Sequence, residues 1–319
     1  MLRYPDVDPY DWGMLEVEDG NRVYWEACGN PKGKPAVVLH GGPGSGCTPQ
    51  WRRFFDPKAY RVILFDQRGC GRSLPHASEF TTDLVANTTQ HLIADVERLR
   101  VALNVEQWLV FGGSWGTTLA LAYAERYRGR VSEMVLFSIT TTGRREVDWV
   151  TRHAGRFFPK AWERFRDGVP LAERDGSLVD AYARLLHDPD AAVREKAAKD
   201  WCAWEDSHVA VSADHRPDPR YDDPRFRMAF ARVVTHYWRH TAWLGEGLLL
   251  RRAAELAGVP GVLVHGRLDV SSPPDIAWAL ARAWPGSELT LIDNAGHGVG
   301  DTAISDVLIE ATDRFSRRG

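Results

Sequence analysis

Short strand-like segments alternate with amphipathic helical segments along the N-terminal part of the chain. Between residues 88 and 103 the apolar side chains recur at steps of three and four, which predicts an amphipathic helix. Strands that alternate with helices in this way predict a mostly parallel, doubly wound α/β sheet with helices on both faces. The strand-like segments, either apolar throughout or apolar at every second position, are residues 22–27, 36–40, 61–65, 108–111 and 131–137.

The alternation is interrupted between residues 139 and 245, where the chain is charged, helical in pattern and rich in tryptophan. It resumes at about residue 261 with two further strand-like segments and two helices, the last of which ends near residue 315. The sequence therefore predicts a sheet domain formed by residues 1–138 and 246–319. Residues 139–245 are predicted to form an inserted helical cap.

Composition excludes several classes of protein. The 319 residues include 40 lysines and arginines against 43 aspartates and glutamates, a net charge of −3. This balance predicts no binding to nucleic acid or to an anionic membrane, since either needs a concentrated basic surface. No apolar run approaches the roughly 20 residues that span a bilayer, and the N-terminus has no signal-peptide pattern. We therefore expect a soluble, cytoplasmic protein.

The clearest chemical motif is GGSWG at residues 112–116, between a predicted strand and a predicted helix. A G-x-S-x-G sequence in this context indicates the nucleophile elbow of an α/β-hydrolase, with Ser114 as the nucleophile. The alternative is a glycine-rich turn whose serine only caps the following helix. The flanking strand and helix favour the elbow.

A serine hydroxyl needs a general base and a group that orients the base, and in α/β-hydrolases the acid precedes the histidine along the chain. Asp269 follows the strand-like segment that ends at residue 266, and His297 follows the last strand. Both are predicted at the carboxyl edge of the sheet, where such folds keep their sites. His265 is the rival base, but its place in a strand predicts a buried structural histidine. This trio needs no metal or organic cofactor.

Acyl transfer also requires backbone N–H donors for the oxyanion. We expect one donor from Trp115, the residue after the nucleophile. The second is expected near Gly42, in the loop HGGPG at residues 40–44. The glycines of this loop, Gly41 included, allow the main chain to approach the substrate.

Together these segments resemble the proline iminopeptidases (prolyl aminopeptidases), which are α/β-hydrolases that remove an N-terminal residue, preferentially proline. The resemblance extends over nearly the whole chain and implies Ser114, Asp269 and His297 as the catalytic triad. It is carried by HGGPG at 40–44, DQRGCGRS at 66–73, NTT at 87–89, GGSWG at 112–116, WCAWE at 201–205, VHGRLD at 264–269 and AGH at 295–297.

The resemblance also implies cap residues that bind the free α-amino group of a small peptide or aminoacyl amide. Glu205 corresponds to the family's first amine-binding carboxylate, and the ring of Trp204 is expected to wall the pocket. The alternative is a solvent-facing Glu205 with the tryptophans in the cap core. Val234 occupies the position of the family's second amine-binding glutamate, and residues 139–145 differ where the family lines its proline pocket. These differences predict an altered preference for the N-terminal residue.

Two other functions remain open on the sequence. The same triad would serve an esterase or lactonase, or an amide hydrolase acting on a non-peptide metabolite. A ligand-binding protein without activity is a third possibility, against which the intact triad argues. The sequence predicts no oligomeric state.

Overall fold

The sheet is the organising element of the protein. A computed structural model describes residues 3–209, 217–298, 300 and 302–317. Within these residues the eight strands form one sheet, in the order β1-β2-β4-β3-β5-β6-β7-β8. The strands are β1 Pro9–Glu16, β2 Arg22–Gly29, β3 Lys34–Leu39, β4 Tyr60–Phe65, β5 Trp108–Gly113, β6 Val131–Phe137, β7 Gly261–Gly266 and β8 Ser287–Ile292.

The strands from β3 to β8 run parallel, whereas β2 is antiparallel to both β1 and β4. The predicted mostly parallel sheet is therefore confirmed. Strand β1 was not predicted. Its sequence, PYDWGMLE, lacks an apolar run because this edge strand is largely exposed, with Trp12 67% accessible.

Helices cover both faces of the sheet, as the alternation of elements predicts. Alternate residues of β3 point to opposite sides of the sheet. Val37 belongs to an apolar cluster with residues of the helices Thr89–Ala102, Trp115–Arg126 and Asp275–Ala283, and Val38 belongs to a separate cluster with residues of the helix Thr302–Ser316. No helix among the described residues is long and apolar enough to cross a membrane. The helices are α1 Thr89–Ala102, α2 Trp115–Arg126, α3 Arg144–Thr151, α4 Pro159–Asp167, α5 Leu178–Leu185, α6 Ala191–Val209, α7 Pro224–Arg239, α8 Leu248–Arg252, α9 Asp275–Ala283 and α10 Thr302–Ser316.

Helices α3 to α7 lie between β6 and β7, which are neighbours in the sheet. They share an apolar cluster that includes Phe165, Trp201 and Trp204 and is distinct from the clusters on the sheet. Helix α7 also reaches the sheet domain, because Arg232 donates hydrogen bonds to the carbonyls of Ala77, Glu79 and Thr82. A helical insertion thus sits over the sheet, and its boundaries at 139 and 245 stay a prediction.

Helix α2 lies unusually close to strand β3, and a glycine makes this approach possible. A Cβ atom added to Gly116 would be 2.0 Å from the carbonyl oxygen of Leu39, which is main chain and cannot rotate away. This contact determines the distance between α2 and the sheet. It therefore also determines the position of Ser114, the residue that precedes the helix.

We predict that Gly116→Ala lowers the free energy of unfolding by about 1–3 kcal/mol or more, because the added methyl group overpacks a main-chain contact. Gly129→Ala is the matched control, since a Cβ there has no atom within 4 Å. Urea unfolding should show a change within about 0.5 kcal/mol for the control. Equal stability of the two variants would contradict this account of α2.

Candidate active site

Ser114 lies on a strained turn between β5 and α2. Its φ of 54° and ψ of −125° are rare for a residue with a side chain. Glycines surround it because space is lacking: a Cβ at Gly113 would be 2.0 Å from the ring of Phe137, and one at Gly112 would be 2.7 Å from the carbonyl oxygen of Gly116. The turn therefore has the geometry of a nucleophile elbow and presents the serine hydroxyl at the carboxyl edge of the sheet.

The structure brings Ser114, His297 and Asp269 into one hydrogen-bonded chain. Nε2 of His297 is 3.0 Å from Oγ of Ser114, and Nδ1 is 2.8 Å from Oδ2 of Asp269. The second oxygen of Asp269 accepts a hydrogen bond of 2.8 Å from the backbone N–H of Ser272. An ionised Asp269 has no proton to donate and can only accept, which places a proton on Nδ1 and leaves Nε2 free to accept the proton of Ser114.

The alternative base, His265, has no access to the serine. It is fully buried, and its two ring nitrogens bind the backbone N–H of Ile139 at 2.9 Å and the carbonyl of Ser272 at 2.7 Å. Burial lowers the pKa of His265. His265 is therefore the buried structural histidine expected from the sequence. Its hydrogen bond to the carbonyl of Ser272 holds the loop that carries Asp269.

The charges of the triad stabilise each other. Burial opposes the charged imidazolium of His297, but the Asp269 carboxylate and its hydrogen bond, together with Glu205, hold the pKa of His297 above its ordinary value. Burial would raise the pKa of Asp269, yet His297 and the N–H of Ser272 hold that pKa below its ordinary value. The site therefore favours a histidine that accepts a proton readily beside an ionised carboxylate.

The two predicted oxyanion donors belong to adjacent loops. Gly42, at a φ of 112°, and Trp115 line the same pocket beside Ser114. Gly41 lies directly over the elbow, since a Cβ there would be 3.3 Å from Cβ of Ser114. The two loops thus flank the serine hydroxyl, and the donor roles of Gly42 and Trp115 stay a prediction.

A buried network joins these two loops. The side chain of Gln67 accepts a hydrogen bond from Nε1 of Trp115 at 2.8 Å and donates to the carbonyl of His40 at 3.0 Å. Nδ1 of His40 lies 2.9 Å from the carbonyl of Gly41, and its Nε2 accepts from the N–H of Gln67. Burial lowers the pKa of His40 to about 4, so this histidine stays neutral and its role is positional.

Two cavities meet at the serine. The smaller, here called the small pocket, lies between the cap and the loops after β6 and β7, and the larger, the open cleft, lies along the loop at residues 41–51. Gly42, Ser114, Glu205 and His297 line both. Glu205 is therefore at the junction of the two cavities, on the cap side of the reacting hydroxyl.

The structure separates the predicted cap residues. Glu205 is 8% exposed and faces the cavities, whereas Trp204 is buried in the cap core, stacked on Phe165 with ring centroids 5.4 Å apart. Val234 is also fully buried in the cap core. Neither Trp204 nor Val234 is among the residues that line the two cavities. Trp204 therefore packs in the cap core and supports the helix that carries Glu205. It does not form a wall of either cavity.

Thr140 and Thr142 line the small pocket and lie in the segment 139–145, where the sequence predicts a changed lining. Four other lining residues were not predicted from the sequence, namely His208, Ser271, Glu146 and Trp238. One signal for His208 was available, because residues three apart on a helix share a face and His208 follows Glu205 on α6 by three positions. Ser271 carried no such signal, since its loop becomes adjacent to the cap only in the folded chain.

Comparisons with known proteins agree with this geometry. A sequence profile of the α/β-hydrolase fold matches residues 34–303. A probable proline iminopeptidase of Streptomyces coelicolor is 53% identical over 100% of this chain and 99% of its own length. A proline iminopeptidase of Xylella fastidiosa is 46% identical over 98% of both chains.

The chain belongs to the proline iminopeptidase family of α/β-hydrolases. The crystal structure of a proline iminopeptidase from Mycobacterium smegmatis superimposes with a TM-score of 0.63, covering 97% of this chain and 99% of that one. At 19% identity, that structure shows the shared fold alone. Membership in the family confirms the predicted resemblance and the α/β-hydrolase fold.

We predict that Asp269→Asn lowers kcat by about 1,000- to 10,000-fold, because the amide N–H can donate to Nδ1 and fix the wrong tautomer of His297, and because the amide lacks the charge that stabilises the imidazolium. Asp275→Asn is the matched control, an exposed carboxylate six residues later that pairs with Arg145. Steady-state hydrolysis of an activated anilide or ester substrate measures both variants. A small effect of Asp269→Asn would exclude His297 as the base oriented by this carboxylate.

The raised pKa of His297 predicts how reactivity depends on pH. The base works only when neutral, so labelling of Ser114 by an uncharged fluorophosphonate should fall on the acid side with a midpoint above the roughly 6.5 of an unperturbed histidine. Since Glu205 contributes to the raised pKa, Glu205→Gln should move this midpoint to lower pH. If the labelling midpoint of Glu205→Gln is unchanged or lies at higher pH, Glu205 does not raise the pKa of His297.

Proposed function

We propose that the protein is a serine exopeptidase that releases an N-terminal residue, proline or another small residue, from small peptides or aminoacyl amides. The observation that carries this proposal is the position of Glu205. A buried carboxylate lies at the junction of the cavities that also expose Ser114 and His297. A substrate ammonium held there is enclosed with an opposite charge, which restricts reaction to the end of a chain.

Acylation follows from the triad geometry. Ser114 Oγ attacks the carbonyl carbon of the N-terminal residue while Nε2 of His297, 3.0 Å away, takes the hydroxyl proton. The carbonyl oxygen becomes an oxyanion, for which the N–H groups of Gly42 and Trp115 are the proposed donors. His297 then gives its proton to the leaving amine, which completes the acyl-enzyme.

Deacylation uses the same groups in reverse. His297 takes a proton from water, the resulting hydroxide attacks the acyl carbon, and the proton returns to Ser114 Oγ as the free amino acid leaves. The open cleft, lined by Trp51, Tyr221 and Phe230 among others, is the proposed path of the leaving peptide. The small pocket is the proposed binding site of the substrate's N-terminal residue. In this proposal Ser114, His297 and Asp269 act on the substrate without any partner protein.

An esterase or lactonase is the alternative for the same triad. Such an enzyme needs an apolar acyl pocket. The small pocket has apolar lining residues, among them Val147, Val150 and Trp238, but Glu205 and His208 also line it, each with a buried polar atom that has no hydrogen-bond partner among the described residues. Burying these polar groups against an apolar acyl chain would cost free energy with no compensating hydrogen bond. The lining therefore favours a substrate with a charged or polar end.

The cytoplasm is the proposed location of the protein.

The proposal is tested by comparing prolyl p-nitroanilide with its N-acetylated counterpart. We expect kcat/KM for the free amine to exceed that for the blocked one by about 100-fold or more, since acetylation removes the charge and adds bulk beside Glu205. In Glu205→Gln this ratio should fall by about 10- to 100-fold. Equal turnover of both substrates by the unaltered protein would refute the exopeptidase, and faster turnover of simple acyl esters would favour the esterase.

A further inference from the structure

Two buried polar atoms face each other in the small pocket without partners. Oε2 of Glu205 and Nε2 of His208 lie 3.4 Å apart, and neither has a hydrogen-bond partner among the described residues. The side chains are well enclosed, with residues 205 and 208 only 8% and 1% exposed. Buried polar atoms in folded proteins nearly always have partners. This pair therefore points to a group on a ligand that supplies the missing hydrogen bonds.

The ring of His208 is held in place by its other contacts. Its Nδ1 is 2.5 Å from Oγ of Ser271, in the loop that follows Asp269. The ring of Trp204 packs beside it, with ring centroids 5.3 Å apart. Nε2 is consequently fixed toward Glu205 and the small pocket, and it cannot turn away without breaking these contacts.

The hydroxyl of Ser271 can bind either neutral form of the imidazole, because a hydroxyl both donates and accepts. When Ser271 donates to Nδ1, the ring proton lies on Nε2 and points at Glu205. When Nδ1 donates to Ser271, Nε2 presents a lone pair to the pocket. Two acceptors then stand side by side, which is unfavourable unless a donor lies between them.

We propose that Nε2 of His208 is the second acceptor for the N-terminal ammonium of the substrate, beside Oε2 of Glu205, and that the pair favours an N-terminal proline. This inference rests on the proposed exopeptidase function. It assigns to His208 the task that the family gives to a second glutamate, whose position Val234 occupies here within the cap core.

The number of N–H bonds on the substrate's ammonium group explains why the pair would favour an N-terminal proline. The secondary ammonium of an N-terminal proline has two N–H bonds, and Glu205 and His208 accept one each. A primary ammonium has three, and its third N–H would need a further acceptor in the pocket. The other carboxylate of the pocket, Glu146, has both oxygens occupied by hydrogen bonds from Thr140, Thr141 and Gly143. The pocket thus matches the donor number of proline better than that of other residues.

The test compares His208→Leu, which removes the acceptor, with His208→Gln, whose amide oxygen can accept near the position of Nε2. The measurements are kcat and KM for prolyl and alanyl p-nitroanilide, and the rate at which a fluorophosphonate labels Ser114. His153→Leu, a change at an exposed histidine of the same cap, is the control.

We expect His208→Leu to raise KM for the prolyl substrate by about 10- to 100-fold with a much smaller change in kcat, and to reduce the preference for proline over alanine. His208→Gln should recover most of both properties. Labelling of Ser114 should be the same in all four proteins, because the probe carries no ammonium.

Three results would overturn the proposal. The first is an unchanged KM and proline preference in His208→Leu. The second is equal impairment of the leucine and glutamine variants together with slower labelling, which would indicate a packing role. The third is equal hydrolysis of free and N-acetylated prolyl substrates by the unaltered protein, and this result alone would also refute the exopeptidase function.

Discussion

The close contact between helix α2 and strand β3 is the constraint on which the site depends. Gly116 allows the helix to approach the main chain of Leu39, and Gly113 allows the ring of Phe137 to lie against the end of β5. Between these contacts Ser114 is held at a positive φ that a free chain would avoid. Because packing on both sides determines this conformation, the hydroxyl is fixed before any substrate arrives. Catalysis by a positioned nucleophile requires this kind of preorganisation.

Electrostatics connects the cap with the triad. The carboxylate of Asp269 binds His297 directly, and the carboxylate of Glu205 on α6 also favours its charged form. A substrate ammonium beside Glu205 would neutralise part of this influence at the moment of binding. The group that we propose for recognition of the chain end therefore also adjusts the base that starts the reaction. In such an arrangement, binding of the correct substrate and the strength of the base are coupled through one side chain.

Much of this arrangement could be predicted from the sequence because it is local. The apolar runs, the GGSWG motif and the order of Asp269 and His297 each depend on residues near one another along the chain, and the parallel sheet then brings the strand ends together. Strand β1 escaped prediction because an exposed edge strand has no apolar run. The sequence places Trp204 at the pocket wall, but an aromatic residue next to Glu205 is equally compatible with the cap core. Only packing against Phe165 distinguishes the two.

The lining of the small pocket could not be predicted for a different reason. Ser271 follows β7 and His208 ends a helix of the cap, so their hydrogen bond joins residues 63 positions apart. That contact decides which nitrogen of His208 faces Glu205, and no local pattern contains it. It also bears on Val234, which the resemblance places where the family has a second amine-binding glutamate. Two carboxylates around one ammonium leave a net negative charge in a buried pocket, which is costly when no further cation is present. An imidazole acceptor in place of a second amine-binding carboxylate adds no further negative charge to a pocket that Glu205 and Glu146 already line. A buried valine at position 234 is then compatible with amine recognition, because the proposed second acceptor comes from α6.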